Sequence, residues 1–156
     1  MAIEIERKFL VLNTSFKYEV SHQYRIVQGF LNSHKERTVR VRILEKKGVL
    51  TIKGKSFKDG LVRFEWEKEI PLLEAESLLE LCEPGIVEKI RYQITLGEYI
   101  FEVDEFLGEN EGLIIAEIEL NTENDIFEKP SWLGKEVTGN VKYYNSQLAT
   151  KPYKHW

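Results

Sequence analysis

The stretch Ile3–Val11, "IEIERKFLV", alternates apolar and charged side chains along most of its length. Successive side chains of a β-strand point to opposite faces of the sheet, so Glu4, Glu6 and Lys8 share one face. The stretch therefore predicts a strand with one apolar and one charged face. One strand alone leaves open whether the charged face is solvated, as in many antiparallel sheets, or forms a site.

The same period of two residues recurs along the whole chain, which predicts eight strands. They are Ile3–Val11, Tyr24–Asn32, Arg37–Glu45, Val49–Lys55, Val62–Ile70, Val87–Thr95, Tyr99–Phe106 and Leu113–Leu120. Glycines that suit tight hairpins predict turns at Lys47-Gly48, Asp59-Gly60, Leu96-Gly97 and Glu111-Gly112.

Few helices interrupt these strands. Helical spacing of apolar residues predicts a helix over Leu73–Cys82, and Asn124–Glu128 suits one short turn. Thr138 is a suitable N-cap for a helix that runs to about Thr150. The pattern predicts a mainly β, α+β fold: an eight-stranded antiparallel barrel, closed or nearly closed, with a C-terminal helix at its mouth.

Composition narrows the class of protein. A chain of 156 residues with 42% hydrophobic and 31% charged residues favours a single globular domain over residues 1–156. The net charge of −4 disfavours broad nucleic-acid binding. Cys82 is the single cysteine, and neither a long apolar run nor a leader pattern is present, so we expect a cytoplasmic protein without membrane contact.

The charged positions occur as doublets of one sign within each strand, although a solvated face usually mixes signs because like neighbours repel. If the barrel closes with this face inward, eight acids and seven bases share one lumen. The acids are Glu4, Glu6, Glu65, Glu67, Glu102, Asp104, Glu117 and Glu119, and the bases are Lys8, Arg40, Arg42, Lys53, Arg63, Lys89 and Arg91.

Such a lumen requires water, counter-charges or a ligand, because each unpaired buried ion costs several kcal/mol. Carboxylates alone suit hard cations such as Mg²⁺ or Mn²⁺, and lysines and arginines suit phosphate oxygens. A metal complex of a polyanion with about three phosphates would satisfy both sets. Other signals are weak: "GKS" at residues 54–56 lacks the first glycine of a Walker A loop, because position 49 is Val49.

The ordered series of charged doublets, with the strings "EIERKF", "EKIRY" and "WLGKEVT", resembles the CYTH superfamily, the triphosphate tunnel metalloenzymes. The resemblance covers nearly the whole chain and is strongest to the small bacterial members that hydrolyse inorganic triphosphate. It implies an eight-stranded tunnel and hydrolysis of tripolyphosphate to pyrophosphate and orthophosphate. Adenylate cyclase, nucleoside or thiamine triphosphatase activity, and a polyphosphate-binding module without turnover, remain alternatives, and a homodimer is left open.

The resemblance also implies roles for the charged residues. Phosphate contacts are expected from Lys8, Arg40, Arg42, Lys53, Lys89, Arg91 and, from the C-terminal helix, Lys142. A first divalent metal is expected on Glu4, Glu6, Glu117 and Glu119. A second metal, or the attacking water, is expected at Glu65, Glu67 and Asp104, so that Mg²⁺ or Mn²⁺ is bound twice per site.

The interpretation also gives catalytic or supporting roles to individual residues. Lys89, with Glu65 and Glu67, is expected to take part in catalysis, and Glu102 to support the site. Arg63 has a plainer alternative role, in which it pairs with neighbouring carboxylates and holds them apart. Asn140 stands where related sequences often carry an acid, which puts the polar contacts of the C-terminal helix in doubt.

Overall fold

The computed structural model describes residues 3–156, which contain nine strands, all paired antiparallel. They are β1 Ile3–Val11, β2 His22–Asn32, β3 Arg37–Leu44, β4 Lys47–Phe57, β5 Val62–Ile70, β6 Val87–Leu96, β7 Tyr99–Phe106, β8 Ile114–Glu119 and β9 Leu133–Glu136. Strands β1, β5 and β7 begin and end at the predicted residues, and the other five predicted strands differ by one or two residues at one or both ends.

The sheet closes on itself, as the sequence predicted. Neighbouring strands follow the order β5-β4-β3-β2-β6-β7-β8-β1, and β1 also pairs with β5 through Ile3–Ile5. Strand β1 therefore pairs with β8 along one edge, while its other edge is shared between β5 and the additional strand β9. The result is an eight-stranded barrel with one strand added outside the closed ring.

The apolar core lies outside the barrel wall. The larger cluster is formed by outward-facing residues of β1 and β6–β8 together with Phe16 and Trp132, both of which are buried. Phe16 belongs to a 3-10 helix, Thr14–Tyr18, and Trp132 lies just before β9. Segments outside the ring thus cover the apolar strand faces, which leaves the charged faces to line the interior.

Helix α1, Leu72–Glu80, covers the outer face of β2–β4. The turn predicted beneath it, at Lys47-Gly48, is wrong. Gly48 lies inside β4, and the turn is formed instead by residues 45–46, where Glu45 has a φ of 55°. A Cβ at Gly48 would come within 2.6 Å of the Cβ of Ala75. The glycine is therefore needed for close packing of α1 on β4 and not for a hairpin.

The C-terminal helix is present but shorter than predicted. Asn140 caps a 3-10 helix, Val141–Tyr143, by accepting a hydrogen bond from the Lys142 N–H, and Tyr144 then returns to an extended conformation with a ψ of 135°. Helix α2, Asn145–Thr150, begins only after this break. The predicted N-cap, Thr138, instead accepts a hydrogen bond from the backbone N–H of Lys8 at 2.9 Å.

The short turn predicted over Asn124–Glu128 is also wrong, because a turn at residues 123–124 leads into irregular chain. The Asp125 carboxylate accepts hydrogen bonds from Asn121 N–H and the Thr122 hydroxyl, and such local bonds compete with helix formation. No helix among residues 3–156 is both long and apolar enough to cross a membrane.

Candidate active site

A cavity of about 310 Å³ occupies the barrel interior, and it collects the predicted charges from seven of the eight strands of the ring, while β2 contributes uncharged side chains. Every predicted lumen acid and base except Asp104 lines it. The sequence did not place the uncharged lining residues in the site; they are Tyr24, Phe30, Thr38, Leu44, Gly60, Leu61, Thr138, Gly139, Tyr144, Asn145 and Ser146. Several of these lie in loops or at α2, where no strand periodicity marks the direction of a side chain.

The register of the strands brings acids opposite acids. Glu6 pairs with Glu119 between β1 and β8, and Glu102 pairs with Glu117 between β7 and β8. Like charges directly opposite one another destabilise a sheet unless something compensates them. This part of the lumen is therefore suited to a cation.

Two pairs of carboxyl groups share a hydrogen bond. Burial and a hydrogen bond to Glu4 raise the pKa of Glu65 to about 7, while Glu4, despite its burial, has its pKa lowered by Lys53 and by Glu65. Burial and repulsion from Glu117 raise the pKa of Glu6 well above its usual range. In each of these pairs, the neighbouring carboxyl group raises the pKa of one acid and helps to lower that of the other.

Burial acts to raise the pKa of Glu117, but attraction by Lys8 and the hydrogen bond from Glu6 outweigh it and hold the pKa well below the usual range. Burial and repulsion from Glu4 raise the pKa of Glu119. A divalent cation in this region would stabilise the charged form of every carboxylate near it.

The bases form a second region of the lumen, in which two arginines keep unused hydrogen-bond donors. Burial, with repulsion from Arg40 and Arg91, lowers the pKa of Arg42 to about 9, although its terminal nitrogen lies 3.2 Å from a Glu67 oxygen. The Nε atoms of Arg40 and Arg42 are buried without a hydrogen-bond partner among residues 3–156. Buried donors of this kind favour an anionic ligand, since an unmade hydrogen bond costs about 1–3 kcal/mol.

Lys53 connects the two regions. Its ammonium lies 3.0 Å from Glu4 and 3.3 Å from Glu65, and it is largely buried. Burial acts to lower the pKa of Lys53, but attraction by Glu4 and Glu6 outweighs it and raises the pKa. Lys53 thus stays charged at the boundary between the acids and the remaining bases.

Asp104 lies behind the cavity wall. Its carboxylate binds the Arg91 guanidinium through two hydrogen bonds of 2.8 Å and lies 2.7 Å from the Lys89 ammonium. Burial acts to raise its pKa, but attraction by Arg91 and Lys89 outweighs this and lowers the pKa. Both carboxylate oxygens are therefore engaged with the two cations, and Glu102 adds a 3.3 Å contact to Arg91.

Arg63 and Lys142 make contacts other than those expected. Arg63 lines the cavity, but it donates to the carbonyls of Gly54 and Lys35 and to the Thr38 hydroxyl and not to carboxylates. The Lys142 ammonium lies 3.9 Å from the centre of the Trp156 ring, outside the cavity lining. Arg7, on the outer face of β1, pairs with Glu136 and does not line the cavity.

The C-terminal segment closes one side of the cavity. Lys8 donates to the Tyr143 carbonyl at 3.3 Å, and both Lys8 and Arg63 place their cationic groups over the Tyr144 ring. Gly60 and Gly139 meet backbone to backbone beside this ring, because a Cβ at Gly60 would lie 2.2 Å from the Cα of Gly139. The loop between β4 and β5 thereby docks on the segment that precedes α2.

The lumen can also be compared with the ligand sets that metals prefer. The residues described contain no group of three or more histidine, cysteine or acidic side chains arranged to hold a metal ion. Oxygen-only acids beside a basic cluster nevertheless fit Mg²⁺ chemistry, because this ion usually takes one or two carboxylates together with substrate phosphates and water. The donor set thus fits a cation that arrives with a polyanion.

A closed antiparallel barrel with acids and bases facing each other across its lumen defines a tunnel protein. The family model for the CYTH domain matches residues 2–153, so the chain belongs to the CYTH family.

Two relatives are named inorganic triphosphatase. One, from Acetivibrio thermocellus, is 48% identical over 157 residues, which cover 100% of this chain and 99% of the relative. The other, from Nitrosomonas europaea, is 35% identical and covers 94% of this chain and 96% of its own length. A crystal structure of an inorganic triphosphatase has a TM-score of 0.66 at 32% identity, over 94% of this chain and 97% of that one.

Proposed function

We propose that this protein hydrolyses inorganic triphosphate to pyrophosphate and orthophosphate inside the barrel, with a divalent cation. The observation that carries the proposal is a closed lumen in which an acidic region adjoins bases with unused hydrogen-bond donors. The likeness to relatives named inorganic triphosphatase over nearly the whole chain supports the choice of substrate. A cavity of about 310 Å³ suits a small anion.

The bases bind and orient the triphosphate. Arg40, Arg42 and Arg91 offer planar donors that match phosphate oxygens, and Lys8, Lys53 and Lys89 add compact positive charges. These side chains hold the chain of phosphates in one position and neutralise charge that develops on the departing oxygen. Their burial strengthens each contact, because charges interact more strongly in a protein interior than in bulk water.

One or two carboxylates from the set Glu4, Glu6, Glu117 and Glu119 would hold the cation, which when bound neutralises phosphate charge and acidifies a coordinated water. Glu65 and Glu67 orient the attacking water and accept its proton. The water oxygen forms a bond to a terminal phosphorus, the bond from that phosphorus to the bridging oxygen breaks, and pyrophosphate leaves with the electron pair. Lys89 and Arg91 face this leaving group.

The decisive experiment is a substrate panel with Mg²⁺ or Mn²⁺ that contains triphosphate, pyrophosphate, ATP and thiamine triphosphate. We expect the highest kcat/KM for triphosphate, with orthophosphate and pyrophosphate released in equal amounts. Orthophosphate release from ATP at the same rate would overturn the preference for inorganic triphosphate. Cyclic AMP as the main product would instead identify a cyclase, and no turnover in any arm would leave only a binding module.

A further inference from the structure

Asn145, the first residue of α2, connects the C-terminal segment to the barrel wall. Its side-chain oxygen accepts a hydrogen bond of 2.7 Å from the Lys89 ammonium on β6 and one of 2.6 Å from the Gln28 amide on β2. Gln28 and Lys89 are buried, whereas Asn145 borders the cavity. One carbonyl oxygen from α2 therefore joins two neighbouring strands at the edge of the lumen.

Chemistry fixes the orientation of these groups. A lysine ammonium has only donors, so the atom of Asn145 that faces Lys89 is the oxygen. That oxygen can accept only from the nitrogen of the Gln28 amide, which leaves the Gln28 oxygen pointing away. The Gln28 oxygen is buried and has no hydrogen-bond partner within residues 3–156. The arrangement thus keeps one acceptor unused in order to hold Asn145 in place.

Lys89 has two of its three donors engaged. Asp104 accepts at 2.7 Å on one side and Asn145 at 2.7 Å on another, and the Phe106 ring lies 5.4 Å from the ammonium. An ion pair with Asp104 alone would leave the ammonium free to rotate about the terminal carbon–carbon bond. A second fixed acceptor sets the direction of the remaining donor on a residue that lines the cavity.

We infer that Asn145, backed by Gln28, is a positioning residue that directs the Lys89 ammonium toward the bound phosphates. The inference rests on the proposed function, since it assigns Asn145 a part in phosphate transfer through Lys89. An amide suits this position better than a carboxylate, because it supplies an acceptor without adding negative charge where a polyanion binds. Loss of the amide should therefore reduce kcat more than it raises KM.

The test is a double-mutant cycle with Asn145→Ala, Lys89→Ala and the combined variant. We expect Asn145→Ala to lower kcat roughly tenfold to a hundredfold, the scale on which misplaced groups act, with KM changed less than about twofold. In the Lys89→Ala background the same change should have almost no effect, because its target is gone. Additive losses of kcat, or a large rise of KM that persists without Lys89, would overturn the inference.

A matched control comes from the same segment. Asn140 caps the preceding 3-10 helix and does not line the cavity, so Asn140→Ala removes one hydrogen bond from the C-terminal segment without touching Lys89. We expect kcat and KM to stay at wild-type values in this control. Asn145→Asp keeps the acceptor and adds charge, so it should restore kcat toward wild type while it raises KM. An equal loss of kcat in Asn140→Ala and Asn145→Ala would indicate a merely structural role.

A second measurement does not depend on activity. In ¹H–¹⁵N spectra of lysine ammonium groups at slightly acidic pH, the Lys89 signal, assigned by its loss in Lys89→Ala, should be protected from exchange in the wild type. It should broaden in Asn145→Ala and persist in Asn140→Ala. If the wild type fails to hydrolyse triphosphate but shows this pattern, the proposed function fails and the hydrogen bond stands. An unchanged Lys89 signal in a folded Asn145→Ala variant would overturn the positioning role.

Discussion

Asp104 illustrates how one residue can match a sequence pattern and still occupy a different place from its neighbours. It has the inward parity of a lumen acid on β7, yet its side chain is 1% exposed and binds Arg91 and Lys89. Its contacts are those of a buried counter-charge that holds two bases in the wall. We therefore propose that Asp104 positions these bases, and that the cavity-lining acids hold the metal.

This assignment predicts a large stability effect for Asp104→Ala. Removal of one partner from a buried ion pair leaves uncompensated charge, so the free energy of unfolding should fall by about 3–5 kcal/mol. The measurement is urea unfolding in the presence of a chelator. Glu102→Gln is the control, because Glu102 is partly exposed and its contact to Arg91 is longer, at 3.3 Å. Equal stability of the two variants without metal would contradict the structural role of Asp104.

In contrast to Asp104→Ala, Glu119→Gln should leave the stability of the protein unchanged. Glu119 lies opposite Glu6 in a crowded acidic region, so replacing its carboxylate with an amide relieves repulsion but removes a candidate metal ligand. We expect triphosphate hydrolysis to be abolished while the thermal unfolding midpoint is retained. Glu69→Gln is the matched control, because Glu69 is an exposed acid of β5 outside the cavity lining. Near-normal turnover in Glu119→Gln would show that the metal assignment is wrong.

Arg40→Ala should weaken binding of the substrate. Hydrogen bonds to charged groups contribute about 1.5–3 kcal/mol, which corresponds to a rise in KM of roughly tenfold to a hundredfold. Arg7→Ala removes an arginine from the outer face of β1 and should leave steady-state kinetics unchanged. If KM and kcat both remain at wild-type values in Arg40→Ala, this arginine does not contact phosphate.

At the scale of elements, the approach of Gly60 to Gly139 joins the β4–β5 loop to the chain that precedes α2. Gly139 has a φ of 79°, and a Cβ there would lie 2.1 Å from the carbonyl oxygen of Asp59. The contact therefore excludes any larger residue, and it holds one wall of the cavity closed.

Gly139→Ala should separate these two segments and reduce activity. A non-glycine residue at positive φ costs about 1–2 kcal/mol by itself, and the clash with Asp59 adds to this cost. Gly97→Ala is the control, because Gly97 has a φ of 63° and a Cβ there would meet nothing within 4 Å. We expect a greater loss of thermal stability and of kcat/KM in Gly139→Ala. Equal losses would mean that only backbone strain is involved.

The elements also show where sequence patterns stop being informative. Strand periodicity located every strand of the ring to within two residues, because burial of one face imposes it on each strand independently. Thr138 as an N-cap predicted one continuous helix to about Thr150, yet the chain returns to an extended conformation at Tyr144. Gly48 was assigned to a turn because a glycine required by the packing of α1 looks the same in sequence as one required by a hairpin.

At the scale of the whole molecule, the charged side chains face the barrel interior and the apolar side chains face outward. This arrangement was predictable from the doublets of like charge. Which residues would share the lumen followed from strand parity and closure alone. The individual contacts depend instead on distances between remote segments. Examples are the paired carboxyl groups, the ion pairs of Asp104 and the hydrogen bond from Lys89 to Asn145. No local pattern encodes these distances, so the grouping of residues was predictable and their individual contacts were not.

The two regions of the lumen predict coupled stabilisation by metal and polyanion. Tripolyphosphate should stabilise the bases and Mn²⁺ the acids, and the two together should raise the unfolding midpoint by more than the sum of their separate effects. Ligand at about 100 times its Kd contributes about 2.7 kcal/mol. Thermal unfolding with each ligand, both, and a chelator measures this coupling, and strictly additive shifts would argue against a shared complex.

The closure of the ring through β1 has a consequence for biosynthesis. The backbone N–H of Lys8 donates to Thr138, which is 130 residues away in sequence, so β1 leaves the ribosome well before the last of its partners. At roughly 5–20 residues per second this wait lasts about 6–26 s. During that time the sheet has an open edge, and the charged faces that later form the tunnel keep the nascent chain hydrated. The residues that bind the ligand in the folded protein would thus first protect the unfinished chain from aggregation.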